Sequence, residues 1–449
     1  MTLMMSVSGV RGVIGQTLTP ALAAELACAF GTLHGPGRVV VGRDTRPSGP
    51  MIESAVVAGL LATGCEPIQL GVASTPAVGV MVRHCGAVGG VVITASHNPL
   101  IYNGIKFLTD QGLAPDPETA RRIYAIAQDR AFRLVEVDAL REVVVDDSAA
   151  DVHVAATLAI LATESIAHRR YRVVLDSVNG AGGAEGRQLL EKLGCQVVGL
   201  NDAPTGRFAH PPEPRAEHLT GLCEAVRAHS ADVGFAQDPD ADRLAIVDET
   251  GRYIGEEYTL ALAARHLLAT RPGAVAVNLS TSRMIDDLAA AAGGPCRVFR
   301  TPVGEANVVA AIRQHGCVFG GEGNGGVIDP RVGFIRDSLV AMGVVLELMA
   351  GEGKRLTELV ADLPAYTMVK SKFTCPPERI ARFLEQVRDA HRGQRLDDSD
   401  GVRVDFEDSW VHVRGSNTEP IVRIIAEAAT PARAEAFVQE MKAILDTLD

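Results

Sequence analysis

One unit of sequence is written three times along this chain, and that repetition limits the fold more than any other feature. Residues 38–46, 172–180 and 274–282 are short β-branched runs ending in small or polar residues. A helical stretch follows each, over 51–63, 183–193 and 284–292. A glycine and a second apolar run come next, at 64–70, 194–200 and 294–299. Glycine just past a helix is the usual terminator, because it turns left-handed at no steric cost. Each unit closes with a third strand rich in small residues, at 89–94, 231–236 and 316–320. Strands alternating with helices predict parallel strands joined by crossovers. The expected fold class is α/β, with three similar mixed α/β domains over 1–150, 151–250 and 251–363.

The rest of the chain breaks that period. Residues 351–363 read as a helix and Pro364 as a boundary. Beyond it come strand-like 366–373, a helical 378–392, strands at 402–406, 410–414 and 422–427, and a last helix over 431–448. This is an α+β pattern with antiparallel strands, and it predicts a smaller C-terminal domain over 364–449.

The third strands deliver three different loops. They are Ala-Ser-His-Asn-Pro at 95–99, Gln-Asp-Pro-Asp-Ala-Asp-Arg at 237–243 and Gly-Glu-Gly-Asn-Gly-Gly at 321–326. Ligand sites in α/β sheets form at the carboxyl ends of strands, so similar domains around a central cleft would pool these loops. Asp238, Asp240 and Asp242 alternate in a loop stiffened by Pro239. Three hard anionic oxygens converging on one point suit Mg²⁺. A solvated acidic turn is the bland alternative, against which stands the apolar strand directly before it. The glycine and distal Glu of an EF-hand are absent.

Ser96 and His97 put a hydroxyl beside an imidazole. Neighbours in sequence rarely make the Ser–His hydrogen bond, which disfavours a hydrolase triad. Beside a metal, Ser96 becomes a candidate phosphoryl acceptor and, through its phosphate, a ligand. Arg414, Ser416, Asn417, Thr418 and Arg423 resemble an anion cradle of hydroxyls, amide and guanidinium donors, with a plain hairpin turn as the alternative. The glycine-rich 320–326 segment lacks the GK[ST] of a P-loop, and its Glu322 can accept from sugar hydroxyls. The 42–46 segment could also form a phosphate loop, but Asp44 and Arg46 read better as a structural pair.

Composition removes several classes. With 43 basic against 55 acidic residues the formal charge is −12, which disfavours nucleic-acid binding. No apolar run approaches the ~20 residues of a membrane span. The opening residues lack the basic and apolar regions of a secretory signal. Eight cysteines are scattered singly with no CxxC pair, which reads as buried reduced thiols and a cytoplasmic location.

Taken together, 8–12 (Ser-Gly-Val-Arg-Gly), 94–99, 102–106 (Tyr-Asn-Gly-Ile-Lys), 238–243, 321–325 and 414–420 closely resemble the α-D-phosphohexomutase superfamily, over essentially the whole chain. The resemblance implies four domains around a central cleft. It implies a phosphoserine at Ser96 and one Mg²⁺ held by Ser96, Asp238, Asp240 and Asp242. Arg11, His97, Lys106 and Arg243 would line the phosphoryl-transfer site, with Lys106 or His97 as general base or acid. Glu322 would bind sugar hydroxyls, and Arg414, Ser416, Asn417, Thr418 and Arg423 the non-transferring phosphate. The implied reaction moves phosphate between C1 and C6 of a hexose through a hexose 1,6-bisphosphate, which also serves as activator. The partner implied is a small phosphosugar, and the enzyme a monomer or homodimer. Two departures bear on substrate. Asn324, followed by Gly325 and Gly326, stands where many relatives carry Ser, and Glu305 where mannose- and glucose-specific members often carry His. The variant looks more like phosphoglucosamine mutases of archaeal type, with Glu305 and Asn324 as substrate-site candidates. A carboxylate at Glu305 facing the sugar's 2-substituent would favour an ammonium over a hydroxyl; the alternative is that Glu305 is a surface neighbour of a helix N-cap. A phosphomannomutase/phosphoglucomutase is the alternative within the class. A silent sugar-phosphate sensor and a phosphatase are the alternatives outside it.

Overall fold

The computed structural model describes residues 3–7, 9–416 and 420–448. It contains four sheets, and the repeated unit is visible in three of them. In the first, Arg38–Arg43 pairs in parallel with Glu66–Val72 on one side and Gly89–Ile93 on the other. Arg172–Asp176 stands in the same way between Gln196–Leu200 and Val233–Gln237. Ala274–Asn278 stands between Arg297–Thr301 and Phe319–Glu322. The crossover helices Gly49–Ala62, Gly183–Lys192 and Met284–Ala292 lie where the pattern puts them.

Each unit also has a fourth strand that the parallel reading lacks. Tyr102–Thr109, Leu244–Asp248 and Gly326–Ile328 fold back antiparallel on the third strand of their own sheets. The three polar loops are therefore hairpin connections, held at both ends by the ladder. The first sheet is widened to seven strands by Met4–Ser6, Gly9–Val13 and the edge pair Val144–Val145.

The helix expected over 351–363 is corrected by the structure. Ser338–Glu352 is one helix, Gly353 ends it at φ 66°, and the short Leu356–Ala361 follows. Twelve of the fifteen residues of Ser338–Glu352 are buried. A helix apolar all round shows no amphipathic period, so its start is invisible to pattern reading. It runs through the largest hydrophobic cluster, which joins the second and third sheets.

The C-terminal sheet is wholly antiparallel, in the order Thr367–Thr374, Ile421–Ala428, Trp410–Gly415, Val402–Asp405, Arg395–Asp397. Helices Pro377–Ala390 and Pro431–Asp446 cover its own core of residues such as Phe383, Ile424 and Phe437. It docks on the third sheet by polar contacts. Glu427 accepts from Arg283 N at 2.9 Å, Ser280 Oγ meets His412 Nδ1 at 2.9 Å, and buried Arg403 donates to Leu279 O. No helix among the described residues is long and apolar enough to cross a membrane.

Candidate active site

The loop after Gly89–Ile93 is built around a buried guanidinium. Arg46 is 0% exposed and pairs with Asp44 at 3.0 Å, as the sequence suggested. It does more than that. Nη2 donates to Ser96 O and Asn98 O, both at 2.6 Å, and Nη1 to Pro99 O and Tyr102 O, both at 2.9 Å. Asp44 also accepts from Thr94 Oγ1 at 2.7 Å. Held this way, Ser96 adopts φ 48°, an uncommon conformation for a residue with a Cβ. Its Oγ donates to Asp238 Oδ2 at 2.8 Å, across 142 residues of sequence. The same turn brings Ser96 Oγ to 3.3 Å from His97 Nδ1, so the contact that adjacency alone disfavours is made.

Asp238, Asp240 and Asp242 are all at or below 1% exposure. A ligand oxygen from each lies within 4.8 Å of the others. Asp240 Oδ2 accepts from Thr75 Oγ1 at 2.6 Å and from Lys106 Nζ at 2.7 Å. Asp242 Oδ2 accepts from Arg336 Nη2 at 2.6 Å. Asp238 Oδ1 accepts from Arg243 N at 3.1 Å. Asp240 Oδ1 and Asp242 Oδ1 remain buried with no hydrogen-bond partner. Buried anionic oxygens left unpaired are costly, and a hard divalent cation satisfies such oxygens directly. The residues present therefore fit a metal ion.

The electrostatics follow from this crowding. Burial, with Asp242 and Asp240 nearby, pushes the Asp238 carboxyl well above its ordinary value. Burial works the same way on Asp240, but Lys106 and Thr75 outweigh it and hold that carboxyl low. Burial opposes the Lys106 ammonium, yet Asp240 and Asp242 win and raise it. His97 goes the other way: burial, then the charges of Arg243 and Arg11, push it down to about 2.

The third loop supplies carboxylates of a different kind. Glu322 Oε1 accepts from Asn278 Nδ2 at 2.8 Å and Gly304 N at 3.1 Å. Its Oε2 accepts from Arg336 Nη1 at 2.7 Å and Asn324 Nδ2 at 3.4 Å. Glu305 opens the helix Glu305–His315, and its Oε2 accepts from Arg336 N at 3.0 Å and Nε at 3.1 Å. From the C-terminal sheet, Arg414 pairs with Asp400 at 3.2 Å, and Ser416 N donates to Ile421 O at 2.9 Å. Asn417 and Thr418 lie outside the described residues.

Of the residues singled out in the sequence, Arg11, His97, Lys106, Arg243, Glu305, Glu322, Asn324, Arg414 and Arg423 line one cavity of about 410 Å³. An adjoining space of about 810 Å³ shares His97, Lys370 and Arg423 with it. Thr75, Asn278 and Arg336 are site residues that sequence reading missed. Ser74 and Thr75 look like an ordinary helix start, and Ser74 indeed caps the helix Thr75–His84. Arg336 lies in an irregular stretch with no motif.

Four family models match in order along the chain. They describe the α/β/α domains I, II and III and the C-terminal domain of phosphoglucomutase/phosphomannomutase, at residues 3–134, 151–251, 256–366 and 368–444. A probable phosphoglucosamine mutase of Methanopyrus kandleri is 42% identical over 96% of this chain and 95% of its own. A phosphoglucomutase/phosphomannomutase of Thermococcus kodakarensis is 40% identical over 96% of each. Among solved structures, a phosphoglucomutase/phosphomannomutase family protein from Burkholderia thailandensis superposes with a TM-score of 0.86 at 27% identity, covering 99% of this chain and 98% of that one. With all four parts matched and full-length relatives near two-fifths identity, the chain belongs to the phosphoglucomutase/phosphomannomutase family and is a phosphohexomutase.

Proposed function

We propose that the chain interconverts hexose 6- and 1-phosphates through a phosphorylated Ser96, with glucosamine phosphate as the preferred substrate. The observation that carries the mechanism is the 2.8 Å bond from Ser96 Oγ to a carboxylate cluster with two buried oxygens that accept no hydrogen bond. Asp238, Asp240 and Asp242 would hold one Mg²⁺, with the Ser96 phosphate as a further ligand. Such an ion neutralises charge on the transferring phosphoryl group.

The chain's own groups do the rest. As phosphoryl leaves Ser96 for a sugar hydroxyl, the Oγ–P bond breaks and a P–O bond to the sugar forms. The hydroxyl proton ends on Ser96 Oγ; His97 Nδ1 stands 3.3 Å from that atom as a neutral imidazole, a hydrogen-bond partner for Oγ rather than a store for the proton. Lys106 and Arg243 supply positive charge beside the reacting group. The cleft arginines Arg414 and Arg423, with Ser416, Asn417 and Thr418, would hold the other phosphate. A hexose 1,6-bisphosphate must reverse within the cleft before the second transfer, and added bisphosphate would rescue enzyme that has lost it. The eight cysteines are free, in keeping with a cytoplasmic enzyme.

The preference for glucosamine rests on Glu305, which lines the cavity with its Oε2 held by Arg336. The phosphoglucomutase/phosphomannomutase reading stays open beside it, because relatives of similar identity carry both names. Turnover on glucosamine, mannose and glucose 6-phosphates side by side decides between them. Intact-mass analysis should show a phosphorylated fraction that Ser96→Ala lacks, and that variant should lose activity by orders of magnitude. Unchanged turnover in Ser96→Ala would refute the covalent route. Glu305→Gln should lower kcat/KM for glucosamine phosphate about tenfold more than for glucose phosphate, the worth of one charge-assisted contact. Equal losses would remove Glu305 from specificity.

A further inference from the structure

The two departures noted in the sequence, the Asn-Gly-Gly ending of the sugar loop and Glu305, meet at one side chain. Arg336 has three arms on three carboxylates. Nη2 reaches Asp242 of the metal loop at 2.6 Å, Nη1 reaches Glu322 of the sugar loop at 2.7 Å, and Nε reaches Glu305 at 3.1 Å. By taking Asp242 Oδ2, it leaves Oδ1, which makes no hydrogen bond and lies 3.7 Å from Arg243 Nε, as that residue's remaining oxygen. By taking Glu322 Oε2, it shares the oxygen that also faces Asn324.

Gly326 is what gives the guanidinium its room. A Cβ on Gly326 would lie 2.2 Å from Arg336 Cδ and 2.7 Å from its Cγ. Neighbouring backbone fixes the two loops against each other. Leu244 N donates to Gly325 O at 3.0 Å, and a Cβ on Gly325 would strike Leu244 O at 2.4 Å. Ser338 N donates to Ala241 O at 3.2 Å, two residues from Arg336. The metal loop and the sugar loop thus touch through one close backbone contact and one forked side chain.

We propose that Arg336 is a positioning residue that couples the metal loop to the sugar loop. Seating a sugar on Glu322 redistributes the guanidinium between Glu322 and Asp242, and so reaches a metal ligand without touching it. Lysine cannot do this, because a point charge lacks the planar fork that holds two carboxylates at once. The inference rests on the metal assignment made above.

The test is a double-mutant cycle read by Mn²⁺ binding to the dephosphorylated full-length protein, with no sugar and no turnover. Glu322→Gln should change the Mn²⁺ dissociation constant by roughly threefold or more in the otherwise unaltered chain, and by less than about twofold in Arg336→Lys. Gly326→Ala keeps every charge and should abolish the response in the same way. An equal response in the unaltered and Arg336→Lys backgrounds would show coupling through space alone and overturn the proposal. So would no response in the unaltered chain. If the unaltered chain binds no Mn²⁺, the metal reading itself falls; binding without the cycle's asymmetry removes only the coupling.

Discussion

The cleft uses arginine in two opposite ways. On the first three sheets, Arg46 and Arg336 are buried and spend their donors on the protein, one on four carbonyls and Asp44, the other on three carboxylates. On the C-terminal sheet, Arg423 is exposed and Arg414 half-buried, and both face the cavity. The same side chain holds loops where strands end in long polar hairpins; on the antiparallel C-terminal sheet Arg423 is left for a ligand, Arg414 divides itself between Asp400 and the cavity, and Arg403, away from the cavity, docks the sheet on Leu279. The difference follows from what surrounds it. A loop folded inside the molecule presents carbonyls that water cannot reach, and a guanidinium with five donors satisfies several at once. An open antiparallel face has already paired its backbone, so an exposed side chain on it such as Arg423 is free to meet solvent or substrate.

This contrast can be broken by experiment. The largest effect is expected from Arg46→Met. It strands the buried Asp44 and four carbonyls, a loss of about 3–5 kcal/mol for a broken buried pair. Turnover should fall about 100-fold, because displacing Ser96 by an ångström costs that much. Thermal unfolding and kinetics together check this; a stable, fully active variant would show that the clamp does not position Ser96. Asp240→Asn comes next. Losing one of the proposed charged ligands should weaken Mn²⁺ binding about tenfold, as titration of the metal against both proteins would show.

Arg423→Ala should behave unlike Arg46→Met. Stability should move by no more than about 0.5 kcal/mol, as for an exposed position. KM should rise about tenfold for both 1- and 6-phosphates, the value of one charge-assisted contact. A large stability loss with KM unchanged would invert the comparison. The smallest effect on turnover is expected at His153, which does not line the cavity. It is fully buried between Glu185 at 3.2 Å and Asp337 at 2.7 Å. Burial opposes its charge, but Asp337 and Glu185 outweigh burial and raise it to about 10. The folded value lies above the unfolded one, so its stabilisation is complete below about pH 6.5 and fades as pH rises toward 10. His153→Gln should flatten the decline of stability over that window. A decline of the same slope would mean that His153 does not titrate there.

Much of this protein was legible in its sequence because the information is local. The period of strand, helix, glycine and strand needs only neighbours within ten or fifteen residues, and so does the alternation of Asp238, Asp240 and Asp242. The hairpin return of Tyr102–Thr109, Leu244–Asp248 and Gly326–Ile328 was less legible, since a short apolar strand carries no sign of its direction. The start of Ser338–Glu352 was hidden by burial on every side. Tertiary structure alone decided what holds the site. Thr75 meets Asp240 across 165 residues, Arg46 reaches Ser96 O across 50, and Arg336 joins Asp242 to Glu322 from a stretch with no motif. These contacts depend on where separate sheets come to rest against one another. A linear sequence shows which groups can carry charge; only packing sets which of them lose water together and must therefore pair.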